Sequence, residues 1–228
     1  MNIYRGTQAQ ITLSIQKLVW LLSILFLSAC STVKLPSAAT TVKSTSAPTT
    51  PQKPLPEPAK LDLKTCKTSV SNAPSADALI GKSLVCVNGI KLLVSPAPRA
   101  CLSSGFGQRG PKLHKGIDYQ SKPAGVIISA GEGIIIDVLY REKDFGRWVI
   151  IDHGANVYTA YAHLASVFDS IKKGEKVSRG QRLGIMGQSG QAAKAVHLHY
   201  EIRKGNYDTG KKWWGMTPLN PFLLPERC

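Results

Sequence analysis

The sequence predicts an all-β domain, an antiparallel β-sheet of sandwich-like or partly rolled form, preceded by a short N-terminal extension. Two observations predict it. Between Cys101 and Leu224 the apolar residues fall in short β-branched runs separated by glycines, and no helical period of 3.6 residues continues for a useful length. The runs are Val126-Ile127-Ile128, Gly133-Ile134-Ile135-Ile136, Trp148-Val149-Ile150-Ile151 and Val157-Tyr158-Thr159-Ala160-Tyr161. Branched and aromatic side chains fit a pleated, half-buried surface, and glycine permits the tight turns that join neighbouring strands.

The chain has 228 residues, room for one ordinary domain once a leader and a linker are set aside. Residues 1–29 read as a lipoprotein signal peptide. Arg5 and Lys17 precede the apolar run Leu18 to Leu27, which has the length of a signal-peptide core and falls short of the roughly 20 residues of a spanning helix. The run ends in Leu27-Ser28-Ala29-Cys30, which resembles the bacterial lipobox and implies lipidation of Cys30. Acyl chains there would anchor the protein to a membrane, since each buried methylene contributes about 0.8 kcal/mol. The next residue is Ser31. By resemblance an aspartate there retains lipoproteins in the inner membrane, so the expected location is the outer membrane, facing the periplasm.

Residues 30–60 hold Cys30 and a Pro/Ser/Thr-rich linker with Pro48, Pro51, Pro54, Pro56 and Pro58, which has almost nothing to bury and extends at about 3 Å per residue. Residues 61–100 are expected to form a short disulfide-stapled segment ahead of the main domain, residues 101–228. In an exported chain Cys66, Cys86, Cys101 and Cys228 are disulfide candidates, and they lack the Cys-x-x-Cys spacing of a zinc site. Three pairings are possible; Cys66–Cys86 with Cys101–Cys228 is favoured, the first stapling the preceding segment and the second tying the domain's start to its end.

Lysine and arginine outnumber aspartate and glutamate by 29 to 14, giving a formal net charge of +15. Loss of the leader removes only Arg5 and Lys17. Outside the cytoplasm such a chain meets carboxylated wall peptides and acidic headgroups, and the export signal excludes nucleic acid as partner.

Four of the five histidines lie in three motifs. In His114-Lys115-Gly116-Ile117-Asp118, a straight strand would separate the two possible ligands by about 13 Å. Both must approach one zinc to about 2 Å, so the chain must bend, and Gly116 is the residue able to supply unusual backbone angles. In His197-Leu198-His199-Tyr200-Glu201-Ile202, period two sends Leu198, Tyr200 and Ile202 to the core and His197, His199 and Glu201 to a cleft. In Tyr161-Ala162-His163-Leu164, Tyr161 and His163 are expected on one strand face. His153, at the end of an apolar run, reads as a structural histidine.

These motifs, in this order and with β-rich intervals, resemble the lysostaphin-type (LytM) zinc metallopeptidases. The likeness runs from about Ser103 to Leu224 and includes Ser104-Gly105-Phe106-Gly107-Gln108-Arg109, Lys173-Gly174-Glu175-Lys176-Val177 with Gly180-Gln181, and Asn220-Pro221. It implies one Zn2+ per chain on His114, Asp118 and His199, with His163 and His197 as the catalytic pair. Three protein ligands is a catalytic count. The family usually has a turn ending in Gly-Pro before its His-x-His motif. This chain instead has Gly190-Gln191-Ala192-Ala193-Lys194-Ala195-Val196, a longer rim without that pair and carrying Lys194.

The expected activity is zinc-dependent hydrolysis of peptide bonds in peptidoglycan stems or crosslinks, with peptidoglycan as partner. The alternative is a non-enzymatic envelope regulator that activates a cell-wall amidase or works with division proteins. Members of the family that do so have lost zinc ligands, whereas all three are intact here. A purely structural, wall-binding lipoprotein is the third reading, and a zinc held only for stability would normally have four protein ligands.

Overall fold

The computed structural model describes residues 63–67, 71–73 and 81–228. The expected leader, Cys30 and the whole of the linker to residue 60 lie outside the described residues. The strands, in chain order, are β1 (Leu84–Val87), β2 (Ile90–Leu93), β3 (Cys101–Ser104), β4 (Gly107–Arg109), β5 (Lys112–His114), β6 (Ile117–Gln120), β7 (Val126–Ile128) and β8 (Gly133–Arg141). They continue with β9 (Gly146–Asp152), β10 (Val157–Ala162), β11 (Ser166–Val167), β12 (Lys176–Val177), β13 (Arg182–Ile185), β14 (Leu198–Lys204) and β15 (Thr217–Leu219). Among the described residues the helical elements are two short 3₁₀ turns, Lys212–Gly215 and Pro221–Leu223.

The main sheet runs β12-β8-β9-β10-β14-β6-β3, and β15 pairs with β14 beyond the reach of β6. A three-stranded sheet, β11-β13-β7, and two hairpins, β1-β2 and β4-β5, complete the architecture. All pairings between these strands are antiparallel, the all-β arrangement that short runs and tight turns predict.

Alternation along β14 decides what goes where. Leu198, Tyr200 and Ile202 enter the larger core with Val149, Ile151 and Tyr161, where they meet Ile127 and Leu183 of the smaller sheet. The opposite face carries a second cluster around Trp148, Ile150, Tyr158 and Trp213. The β1–β2 hairpin shares the larger core: Val85, Val87, Leu92 and Val94 are buried in it. Tyr119 donates its hydroxyl hydrogen to the Val94 carbonyl at 2.7 Å, and Tyr200 donates to that of Leu93 at 3.1 Å. Each buried aliphatic side chain contributes about 1.5–3 kcal/mol, so hairpin and sheet form one hydrophobic unit.

The cysteines pair as Cys66–Cys101 and Cys86–Cys228, not in the favoured arrangement of Cys66–Cys86 with Cys101–Cys228. Backbone pairing decided this. Leu102 exchanges hydrogen bonds with its neighbours across β3, from Cys66 N to Leu102 O and from Leu102 N to Lys64 O, both 2.8 Å. Cys66 is thereby set beside Cys101 with their Cα atoms 5.0 Å apart. The Cys86 amide donates to the Pro225 carbonyl at 2.6 Å, which brings the C-terminal tail against β1.

Because Cys86 and Cys228 are 142 positions apart, their crosslink restricts the unfolded chain strongly, by up to about 5 kcal/mol in the chain-entropy treatment. The Cys86→Ser, Cys228→Ser double variant is expected to lose several kcal/mol in guanidinium denaturation. An unchanged midpoint would show that the tail's other contacts suffice.

Candidate metal centre and catalytic cleft

The register of three strands assembles the centre. His199 on β14 stands opposite Asp118 on β6 and opposite Ala162 on β10. Directly paired residues of an antiparallel ladder project to the same face with Cβ atoms about 5 Å apart, so the cross-strand pair alone brings imidazole to carboxylate. His114 closes the group from the end of β5. Gly116 is needed between them for a reason other than the expected one: its φ is not in the left-handed region. A Cβ there would lie 2.5 Å from the Tyr200 carbonyl oxygen and 2.8 Å from His199 Cε1, so glycine serves close approach to β14.

The three donor atoms form a nearly equilateral triangle. His114 Nε2 is 3.1 Å from Asp118 Oδ1 and 3.1 Å from His199 Nδ1, and the latter two are 2.9 Å apart. Ligands about 2.0–2.1 Å from one tetrahedral zinc would be roughly 3.3 Å apart, so the donor set fits that ion with a few tenths of an ångström of adjustment.

Supporting groups fix which ring nitrogens are available. His114 Nδ1 lies 2.7 Å from the Gly105 carbonyl oxygen, which can only accept, so Nδ1 carries the hydrogen and Nε2 presents its lone pair. The Arg109 guanidinium also approaches Nδ1, but its firm partners are Asp118 Oδ2 at 2.8 Å and the Ser104 hydroxyl. His199 Nε2 is 2.9 Å from Glu201 Oε1, which leaves Nδ1 for a cation. Imidazole ligands held in this way by a carbonyl or carboxylate are the usual support of a metal site.

Glu201 therefore lies beneath His199 and not in the cleft where alternation alone had placed it. Its second oxygen accepts from Arg203 Nε at 2.5 Å, and Arg203 Nη1 donates to the carbonyls of Trp213 at 2.8 Å and Met216 at 3.3 Å. Both side chains are almost fully buried. Sequence reasoning missed Arg203 and the role of Glu201. The signal was available: positions 199, 201 and 203 share one face, and a glutamate and an arginine two apart there must pair if buried.

Two further imidazoles flank the triangle. By alternation His163 should share a face with Tyr161, but β10 ends at Ala162 and His163 has a φ of 63°. Tyr161 remains in the core, its ring against Tyr200. The left-handed turn sends the His163 ring to the other side of the sheet, 4.6 Å from the ring of His197 and 6.0 Å from that of His199. Such a conformation costs a non-glycine residue on the order of 1–3 kcal/mol and is concentrated at functional positions. His163 Nδ1 is tied to the Ser189 carbonyl at 2.9 Å and His197 Nδ1 to that of Ala195 at 2.8 Å, so each ring keeps Nε2 for chemistry. His197 Nε2 stands 3.8 Å from Asp118 Oδ1.

The electrostatics separate the two sets. Burial, with a smaller contribution from its neighbour His197, lowers the pKa of His163 to about 4; burial also lowers that of His197. Both rings are neutral at pH 7. Burial opposes charge on His199 too, but hydrogen bonds to Asp118 and Glu201 outweigh it and raise its pKa to about 9. For Asp118, burial is overcome by the adjacent His114 and His199 rings, which hold its carboxyl well below the usual range. Surroundings that favour a proton on His199 favour a cation in its place.

His153 stays outside this group. Its Nδ1 is 2.5 Å from the Glu132 carbonyl oxygen and its Nε2 2.8 Å from Thr159 Oγ1, the structural place expected for it. Burial lowers its pKa to about 4. The unfolded ring takes up a proton near pH 6.5, which the folded ring refuses until about pH 4. Stability is therefore full above pH 6.5 and lost as pH falls through that window, by about 3 kcal/mol from this residue. Urea denaturation at pH 7 and pH 4.5 should show a smaller acid loss in His153→Gln than in the wild type.

Comparison with known proteins agrees with this geometry. Residues 112–212 match the model of peptidase family M23, a span that includes all five candidate site residues. Peptidoglycan DD-endopeptidase ShyA of Vibrio cholerae is 38% identical over 90 residues, 39% of this chain and 20% of that protein. DD-carboxypeptidase/endopeptidase Mpg of Neisseria meningitidis is 34% identical over 116 residues, 48% of this chain and 26% of its own length. The chain thus spans about a fifth to a quarter of these relatives. A zinc-containing peptidase from Vibrio cholerae shares the fold, with a TM-score of 0.50 and 23% identity over 60% of this chain and 44% of that one. The motif order, the β-fold and the matched span agree: residues 112–212 of this chain match a peptidase family M23 domain.

Proposed function

We propose that the chain is a zinc-dependent endopeptidase that hydrolyses peptide bonds in the stems or crosslinks of peptidoglycan. The observation that carries the reading is the three-donor centre of His114, Asp118 and His199 flanked by two neutral imidazoles. The names of the 38% and 34% identical relatives support peptidoglycan as the substrate.

His114, Asp118 and His199 would hold the ion. Bound zinc supplies Lewis acidity towards the scissile carbonyl and brings the pKa of water towards neutrality. His163 and His197 do the proton work. With Nδ1–H tied to a backbone carbonyl, each presents a basic Nε2, and a ring that has taken a proton can donate it to the leaving amine or to a carbonyl oxygen gaining charge. The proposal includes the signal peptide to Ala29, lipid on Cys30 and the proline-rich linker as a tether at the outer membrane, from which the enzyme reaches the wall.

The test is zinc content, together with mass spectrometry of products from purified peptidoglycan with and without a chelator. One zinc per chain and chelator-sensitive new peptide termini are expected. Zinc without cleavage would replace the enzyme with the amidase-activating regulator. In the same assay His163→Ala is expected to keep its zinc and lose turnover by about 100-fold or more; a fully active variant would remove His163 from the mechanism.

A further inference from the structure

Resting on the reading of the cleft as a peptide hydrolase, we propose that a cavity beside the metal centre is a subsite for a free carboxylate of the substrate, held by Arg109 and Lys194. The cavity, about 360 Å³, reaches from Asp118 and His197 to the serines 71, 103 and 104 and to Lys194. Apart from two alanines its walls are polar or charged, so it does not suit an apolar side chain. Its ionisable groups are Arg109, Lys194, Asp118 and His197. Asp118 is already held by His114, His199 and Arg109, so the charged groups left to meet a ligand are the cations Arg109 and Lys194.

Both cations have donors to offer. Arg109 bonds Ser104 and Asp118 through Nη2 alone, and its Nε and Nη1 have no partner among the described residues. The side chain is 37% exposed. A guanidinium fork fixed at one nitrogen presents its other edge in a geometry that matches the two oxygens of a carboxylate. Lys194 Nζ reaches the Gln191 carbonyl only at 3.4 Å, beyond a good hydrogen bond, which leaves the ammonium available to a second oxygen.

The subsite draws on parts of the chain that the family pattern does not supply. Ser71 lies ahead of the matched span of residues 112–212 and is held at the edge of β3, its hydroxyl 2.5 Å from that of Ser104 and its carbonyl accepting from the Gly105 amide at 2.8 Å. A Cβ on Gly105 would strike the Asn72 carbonyl, so glycine there allows this segment to form the wall. Lys194 sits in the rim loop that departs from the usual sequence. Both features point to specificity of this chain for peptides with a carboxylate near the scissile bond.

The test uses the full chain, zinc-loaded and with disulfides intact, and a crosslinked stem peptide in three forms: all carboxylates free, only the C-terminal ones amidated, only the side-chain ones amidated. One amidated form is expected to lose at least tenfold in kcat/KM, mostly through KM, and thereby to identify the carboxylate. In Lys194→Met that preference should shrink to about twofold, and Lys194→Arg should restore it. Equal cleavage of all three forms by the wild type, or an unchanged preference in Lys194→Met, overturns the subsite and leaves the hydrolase standing. Binding of the same peptides to the metal-free protein, followed by NMR, reads the subsite without turnover. Acid-selective binding that Lys194→Met abolishes, with no cleavage of any form, upholds the subsite and sinks the hydrolase. No acid selectivity in binding, with no cleavage, sinks both.

Discussion

Replacing His114 with alanine is expected to remove the metal and the activity together. His114 Nε2 is one of three donors in a centre that has no fourth protein ligand among the described residues to compensate. Its loss leaves Asp118 and His199, two donors 2.9 Å apart, to hold a divalent ion alone. Removing a group that merely supports a ligand weakens metal binding by about 10–100-fold, and removing the ligand should exceed that. Without the ion the scissile carbonyl is not polarised and water keeps its ordinary acidity, so turnover should fall by more than about 1,000-fold. Zinc content after dialysis against a chelator, measured beside the cleavage rate, separates this variant from His163→Ala, which should lose the rate alone. A His114→Ala protein that retained one zinc per chain would end the assignment of this ligand.

Glu201→Ala is expected to damage stability and metal binding at once, although Glu201 touches neither substrate nor ion. Its carboxylate is the link between His199 and Arg203. Burial alone would raise its pKa, yet the hydrogen bond and charge of His199, and Arg203 after it, bring it below the ordinary value, so the group is an anion in the fold. Truncation strands the Arg203 guanidinium, 1% exposed, with no carboxylate partner. Breaking a buried pair in this way costs about 3–5 kcal/mol. It also frees the His199 ring to turn and change tautomer, for which a 10–100-fold loss of zinc affinity is expected. Glu201→Gln separates the effects, because the amide oxygen can still hold His199 Nε2 while the negative charge against Arg203 is lost. Guanidinium denaturation and competition with a chelating dye measure the two consequences independently. If Glu201→Ala bound zinc as tightly as the wild type, the carboxylate would be serving the fold only.

Arg203 carries the effect further. Its Nη1 bonds to the Trp213 and Met216 carbonyls and its guanidinium lies 4.7 Å from the Trp213 ring centroid. The chain after β14 is thus fastened to the residue that fastens His199. Loss of Glu201 should therefore loosen the 212–216 turn as well, visible as faster amide exchange there.

What the sequence by itself determined was whatever depends on spacing along one strand or on the kind of atom a side chain carries. Branched runs between glycines gave antiparallel β-structure, and alternation sent Leu198, Tyr200 and Ile202 inward. The histidine motifs, in their order, resembled those of the lysostaphin-type peptidases, and that resemblance implied His114, Asp118 and His199 as a zinc-type donor set. The tertiary structure alone decided what depends on which strands are neighbours. Cys66 pairs with Cys101 because the backbone at Lys64 and Cys66 bonds to Leu102, a contact that no local pattern encodes. Gly116 is required by the approach of β14, which is remote in sequence, and not by its own φ. His163 leaves the face that period two assigns to it because one left-handed residue inverts the alternation. Glu201 becomes the support of His199 because Arg203, itself held by the turn at residues 212–216, neutralises it underground in the sheet's second core. Periodicity reports the direction of a side chain relative to its own strand, whereas partners across strands follow from register and close packing, which only the folded chain possesses.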